Sequence, residues 1–252
     1  GTARFYERIS PDASDEQAVS FDLRRSSAGD ERHVFLLLAD IQTQDTDETT
    51  WFLEQTVPDV RSTLRQIGDV PAFGVSCGDI MYDHLHLYPE YERGVEAMGI
   101  PFFQVVGNHD MNYVARIDET STETFSRHFG PRYYSFDRGA VHYVILDNVF
   151  WNGAEYFGYL DRDQLTWLEA DLAMLEPGRT VIVAAHIPIL GSQYVRSGDE
   201  RPSPHVSVTN REELYRLLEP FAAHVLVGHT HESEHLFAHG VHEHVNGAVC
   251  GA

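Results

Sequence analysis

The chain has 252 residues, 42% of them hydrophobic, which is enough for one substantial core, and its 39 acidic against 18 basic residues leave a formal net charge of −21. All 18 basic residues are arginines, and so acidic a surface repels nucleic-acid backbones and anionic membranes, which argues against a general nucleic-acid binder. Apolar runs are too short to span a bilayer, no signal-peptide pattern is visible, and two cysteines, Cys77 and Cys250, are too few for a disulfide scaffold.

Residues 1–30 form a distinct opening. Phe5, Tyr6, Ile9, Val19, Phe21 and Leu23 alternate weakly around Ser10-Pro11-Asp12. This predicts one or two strands that edge the main domain or are the remnant of a small β-domain. A start on Gly1-Thr2 fits a trimmed or processed chain, and the main domain is expected over 31–252. Residues 33–39 read as a fully buried strand ending in Asp40-Ile41-Gln42. A helix, or two, follows over 51–67, interrupted or kinked at Pro58. Residues 71–77 are a second strand ending in Gly78-Asp79, and 89–98 a helix stopped by Gly99. A third strand over 102–106 ends in Gly107-Asn108-His109-Asp110.

A helix is predicted over 118–129, then a hairpin of strands 133–136 and 141–146 turning at Arg138-Gly139. Leu165, Leu168, Leu172 and Leu175 stripe a helix over 161–175, with Asp161 as N-cap and Gln164 completing a capping box. Strand 180–185 ends in His186-Ile187-Pro188, helix 209–218 follows, and strand 224–227 ends in Gly228-His229-Thr230-His231. Strands separated by helices predict layered α/β packing. His235, His239, His242 and His244 make a dense patch near the end, read mainly as one solvated strand face, with a third metal as the minor alternative.

Five strands therefore end in side chains able to bind metal: Asp40 with Gln42, Asp79, Asn108 with His109, His186, and His229 with His231. Positions i and i+2 of a strand share a face, so Asp40 and Gln42 are expected to converge, as are His229 and His231. Oxygen and imidazole donors without thiolates suit Mn, Fe or Zn and not a closed structural zinc site. Asp79, after a glycine in a tight turn, is the candidate bridge between two cations. Asp83 and His84 are candidates for supporting or substrate-facing roles, with a plain surface loop as the equal alternative. Asp147-Asn148 ends a further strand, where Asn148 either borders the substrate or belongs to a plain turn.

The ordered series Asp40-x-Gln42, Gly78-Asp79, Gly107-Asn108-His109-Asp110, His186-x-Pro188 and Gly228-His229-x-His231 resembles the calcineurin-like metallophosphoesterase superfamily over roughly residues 33–231. The resemblance implies an α/β (α+β) four-layer fold, a β-sandwich flanked by helices, with two divalent or trivalent metal ions at the strand ends. One metal would take Asp40, Gln42, Asp79 and His231, and the other Asp79, Asn108, His186 and His229. His109 would assist the leaving group, with Asp110 orienting it. Gln42 departs from the commoner His at that position and leaves metal identity open among Mn, Fe and Zn. The stretches 78–91 and 129–136 further resemble a bacterial subfamily with flanking N- and C-terminal domains, so the stop at Ala252 fits a truncation and the acidic charge fits secretion or the periplasm.

The function this implies is hydrolysis of a phosphoester, monoester or diester, by a metal-bridging hydroxide attacking phosphorus. The partner is a phosphorylated small molecule or other phosphoester. The oligomeric state is left open. The alternative is a non-catalytic metal-binding scaffold on the same fold, which the occupied ligand positions and His109 disfavour.

Overall fold

A run of apolar residues as continuous as Ala72–Cys77 must be covered on both faces, and the chain is arranged around doing so. The structure, a computed structural model, describes Thr2, Ala3, Phe5, Tyr6 and residues 29–249. The strands expected over 7–28 and Cys250 lie outside the described residues. Of the opening segment, Thr2 pairs with Pro101 and Phe5 stacks on Phe103 with ring centroids 4.4 Å apart, at the edge of the first sheet.

That sheet is parallel and three-stranded, in the order β1 (Val34–Leu38), β2 (Ala72–Cys77), β3 (Phe102–Val105). Helices α1 (Thr46–Trp51), α2 (Val57–Ile67) and α3 (Tyr88–Met98) make the crossovers that parallel strands require. Helices α4 (Asp118–Ser121) and α5 (Glu123–Phe129) follow. The hairpin β4 (Tyr134–Arg138) and β5 (Val141–Ile145) opens the second sheet, with Gly139-Ala140 as its two-residue loop. The small ribbon β6 (Val149–Trp151) and β7 (Tyr156–Gly158) leads to α6 (Arg162–Leu172). Then come β8 (Thr180–Ala184), α7 (Gln193–Ser197), α8 (Arg211–Leu218), β9 (Ala222–Val227), β10 (Glu234–Ala238) and β11 (Val241–Val245). The second sheet runs β10-β11-β9-β8-β5-β4.

Phe73, Val75, Cys77 and Val105 of the first sheet pack against Tyr143, Ile145, Ala184 and Leu226 of the second, forming the middle of the sandwich. Phe73 meets Tyr143 edge-on, with centroids 5.1 Å apart. Each such buried side chain contributes about 1.5–3 kcal/mol. Outside the first sheet, Val57, Val60, Tyr88, Tyr91 and Phe125 close a second core. Outside the second sheet, Leu168, Leu172, Leu214 and Leu218 close a third. The order helix, sheet, sheet, helix is the four-layer arrangement expected.

Three local readings change. The helix is not broken at Pro58: a π-helical segment, Phe52–Thr56, joins α1 to α2, and Val57 N–H reaches back to the Phe52 carbonyl. Widening the turn just ahead of the proline accommodates its missing N–H. The helix expected over 118–129 is two short ones meeting at Thr122. At α6, Asp161 caps Gln164 N–H at 2.8 Å as expected. The Gln164 side chain turns away, however, accepting from Asp147 N–H and donating to the Asp147 carbonyl. No helix among the described residues is long and apolar enough to cross a membrane.

Candidate metal centre

The exits of β1, β2, β3, β8 and β9 meet at one rim. Asp40, Gln42, Asp79, His229 and His231 all have left-handed backbone, with φ of 52°, 50°, 49°, 71° and 57°. β1 already stops at Leu38 and β9 at Val227. Asp40 with Gln42, and His229 with His231, therefore converge through tight turns beyond the strands and not through the strand alternation expected. For residues other than glycine such conformations cost on the order of 1–3 kcal/mol each and persist only where surroundings enforce them. Here the enforcement is close backbone approach. A Cβ on Gly107 would lie 2.1 Å from Asp79 N, and one on Gly228 2.3 Å from Asp40 Oδ2.

Donor atoms of Asp79, His186 and His229 lie within 4.8 Å of one another. His186 Nε2 stands 3.1 Å from His229 Nδ1, 3.3 Å from Asp79 Oδ1 and 3.0 Å from Asn108 Oδ1. The opposite nitrogen of each ring faces a backbone carbonyl: His186 Nδ1 the Cys77 oxygen at 2.8 Å, His229 Nε2 the His205 oxygen at 2.7 Å. A carbonyl only accepts, so those nitrogens donate, and His186 Nε2 and His229 Nδ1 are turned inward, the support usual for metal-ligating histidines. Asp40 lies alongside, with Oδ1 3.6 Å from His231 Nε2 and both oxygens accepting His229 N–H. Gln42 donates its amide N–H to Asp79 Oδ2 at 2.9 Å, so serving a cation requires the amide to turn its oxygen inward.

The electrostatics favour a cation. Asp40, Asp79 and Asp110 are all buried. Burial pushes the Asp40 and Asp110 carboxyls each up to about 7, and the charge of Asp79 adds to both. Burial acts the same way on Asp79, but the His186 ring overrides it and holds that carboxyl below the usual range. Burial would lower His186, yet Asp79 and Asp40 raise it to about 9; burial and His186 together push His229 down to about 3. Buried carboxylates outnumber the positive charge facing them, and carboxylate, amide and imidazole are the donors that Mn, Fe and Zn accept. The residues present fit the metals expected.

His109 Nδ1 lies 2.8 Å from Asp83 Oδ1, and the ring stacks on Tyr82 with centroids 4.0 Å apart. Asp83, not Asp110, orients this histidine. Asp110 is fully buried and accepts from Ile80, Met81 and Gly107 N–H and from the Tyr88 hydroxyl, locking the loop after β2 to the loop after β3. His84 bonds the Gln44 carbonyl. Asn148 is fully buried. Its amide oxygen accepts from His186 and Ile187 N–H at 3.1 and 3.0 Å, and its nitrogen donates to the Ile187 carbonyl. Glu243 does similar work further along, accepting from Ile189, Leu190 and Gly191 N–H. Neither role has a sequence signal, because both partners are backbone groups far along the chain.

Comparison with known proteins agrees with this geometry. Residues 33–233 match the model of the calcineurin-like phosphoesterases. The mouse serine/threonine-protein phosphatase CPPED1 is 27% identical over 205 residues, covering 75% of this chain and 61% of the relative. A 3',5'-cyclic-nucleotide phosphodiesterase of Nostoc is 25% identical over 162 residues, covering 62% of this chain and 53% of the relative. The chain thus spans between half and two thirds of these relatives. A dimetal phosphatase from Danio rerio superposes with a TM-score of 0.58 at 15% identity, covering 86% of this chain and 88% of that one. With the order of the rim segments, the four layers and the match over most of its length all in agreement, the chain belongs to the calcineurin-like phosphoesterase family.

Proposed function

We propose that the protein is a metal-dependent phosphoester hydrolase with a dinuclear centre. The supporting observation is the pair of inward-facing nitrogens, His186 Nε2 and His229 Nδ1, 3.1 Å apart beside the Asp79 carboxylate. Asp79, Asn108, His186 and His229 hold one cation; Asp40, Gln42, Asp79 and His231 hold the other, with Asp79 shared. When bound there, such cations would supply Lewis acidity to the phosphoryl oxygens and would lower the pKa of water.

The chain's own residues do the rest. Asp83 accepts from His109 Nδ1–H, and His109 as an imidazolium also carries an Nε2–H that donates to the departing oxygen of the ester. Tyr82 packs flat on the ring and limits its rotation. Asn108 and His109 sit on the short 3-10 turn Asn108–Asp110, whose position is set by the Asp110 bonds across to the loop after β2. Beside Gln42, a hollow of about 220 Å³ lined by Thr43, Gln44, Trp51 and Gln55 gives room for the organic side of an ester. The named relatives, a protein phosphatase and a cyclic-nucleotide phosphodiesterase, act on phosphomonoesters and phosphodiesters respectively.

The test is hydrolysis of p-nitrophenyl phosphate against bis-p-nitrophenyl phosphate, with Mn added and with chelator. Turnover of at least one ester that depends on Mn and stops with chelator is expected. Failure to turn over either, with metal bound, would instead assign the fold to a binding scaffold.

A further inference from the structure

A second group of imidazoles lies away from the rim. On β9, β11 and β10, His224, His242, His244 and His235 alternate with residues that face the opposite side, among them Val225, Val241, Glu243 and Val245. Parallel pairing sets His224 beside His242, and antiparallel pairing sets His235 beside His244. The four rings thereby form one cluster. Centroids of His224 lie 5.0 Å from His242 and 5.4 Å from His244; those of His235 lie 5.3 Å from His242 and 4.8 Å from His244. His239, which the sequence groups with these, leaves the cluster: it sits in the β10–β11 turn and stacks on Tyr215. His224, eleven residues before His235, takes its place.

The face they occupy is the one that, on β9 and β8, packs against the first sheet through Leu226 and Ala184. Among the described residues, none from β10 or β11 joins that inter-sheet core. The cluster thus stands on the part of the large sheet that β1 does not reach, and His235 is exposed.

Two contacts within the cluster are imidazole–imidazole hydrogen bonds whose shared proton an ion could replace. His224 Nδ1 lies 3.1 Å from His244 Nε2, and His235 Nε2 lies 3.1 Å from His242 Nδ1. Two nitrogens at that separation, each about 2.0–2.1 Å from a shared ion, subtend about 98° at it, between octahedral and tetrahedral angles. Burial and the neighbouring imidazoles hold His224 and His244 below the ordinary histidine value, which favours neutral rings that each keep one unprotonated nitrogen. Imidazole nitrogen without carboxylate or thiolate selects late divalent transition ions over Mg or Ca. His224 lies within β9, whereas His229 follows the end of that strand at Val227, in the turn at the rim, so this cluster and the rim are separate.

We propose that His224 Nδ1 and His244 Nε2 together bind one divalent ion of the zinc, nickel or copper class at the surface, with His242 and His235 beside them. The proposal does not depend on the activity assigned to the rim.

Equilibrium dialysis of the full chain with Ni at pH 7.5 tests it. Wild type is expected to bind one more equivalent than a His224→Gln/His244→Gln variant, and to lose that equivalent at pH 5.5. Mn-dependent hydrolysis of p-nitrophenyl phosphate is expected to be the same in both proteins. As a measurement independent of the variant's folding, substoichiometric Cu is expected to broaden the wild-type imidazole proton signals of His224 and His244. Equal Ni uptake by two folded proteins, or broadening confined to His186, His229 and His231, would overturn the proposal.

Discussion

Asp83 Oδ1 accepts from His109 Nδ1 at 2.8 Å, although the two residues belong to loops that follow different strands. The consequence is a division of labour between Asp83 and Asp110. Replacing Asp83 by Asn removes the negative charge that holds the His109 ring while leaving all proposed metal ligands in place. We expect kcat to fall about 10–100-fold with full metal content, and His109→Ala to lower it about 100- to 10,000-fold, also with metal retained. Steady-state kinetics beside elemental analysis checks both. Loss of metal in either variant would contradict the roles assigned.

Asn148 should behave differently, because it holds the backbone of a ligand. Asn148→Ala frees the His186 and Ile187 N–H groups and is expected to weaken metal binding by about 10–100-fold. Activity should recover as Mn is raised. A titration that yields the wild-type half-saturation with reduced kcat would refute this.

Metal removal should also show in stability, since Asp40, Asp79 and Asp110 place like charges together out of water. An ion present at about 100 times its Kd stabilises the folded chain by ~2.7 kcal/mol. For a chain of this size that corresponds to a Tm change of about 5–10 °C. Calorimetry with excess Mn and then with chelator measures it, and identical Tm values would exclude resident ions at this rim.

The imidazole cluster predicts a pH dependence. Burial, His242 and His235 lower both His224 and His244, and His224 also lowers His244; the unfolded chain protonates first, near 6.5. Stability from these groups is therefore present above about 6.5 and is lost as pH falls through their lowered folded values. His242→Asn, by relieving repulsion at the centre of the cluster, should lose less stability than wild type between pH 7.5 and 5.5. Urea midpoints at the two pH values give the comparison, and equal losses would count against it.

The candidate ligands were legible in sequence because each is a polar residue at the abrupt end of a short apolar run, and that signal survives without knowledge of partners. Layering followed from the alternation of those runs with helical stretches. What sequence could not supply were relations between distant segments. Asp83 gave no sign that it, and not the adjacent Asp110, would meet His109. Asn148 resembled a turn residue, and only the approach of the loop after β8 makes it a support. The widened helical turn before Pro58 was hidden for another reason: proline signals a break, while the backbone can absorb it by adding a residue to the preceding turn.

The left-handed backbone at Asp40, Gln42, Asp79, His229 and His231 bears on how this rim is to be dissected by mutagenesis. Alanine, the customary replacement, removes a donor and at the same time meets a conformation its methyl group resists, so its effect blends lost coordination with a distorted loop. Glycine tolerates that geometry and asparagine resists it less than alanine does, which makes these two substitutions the fairer rulers of what each side chain gives the ion.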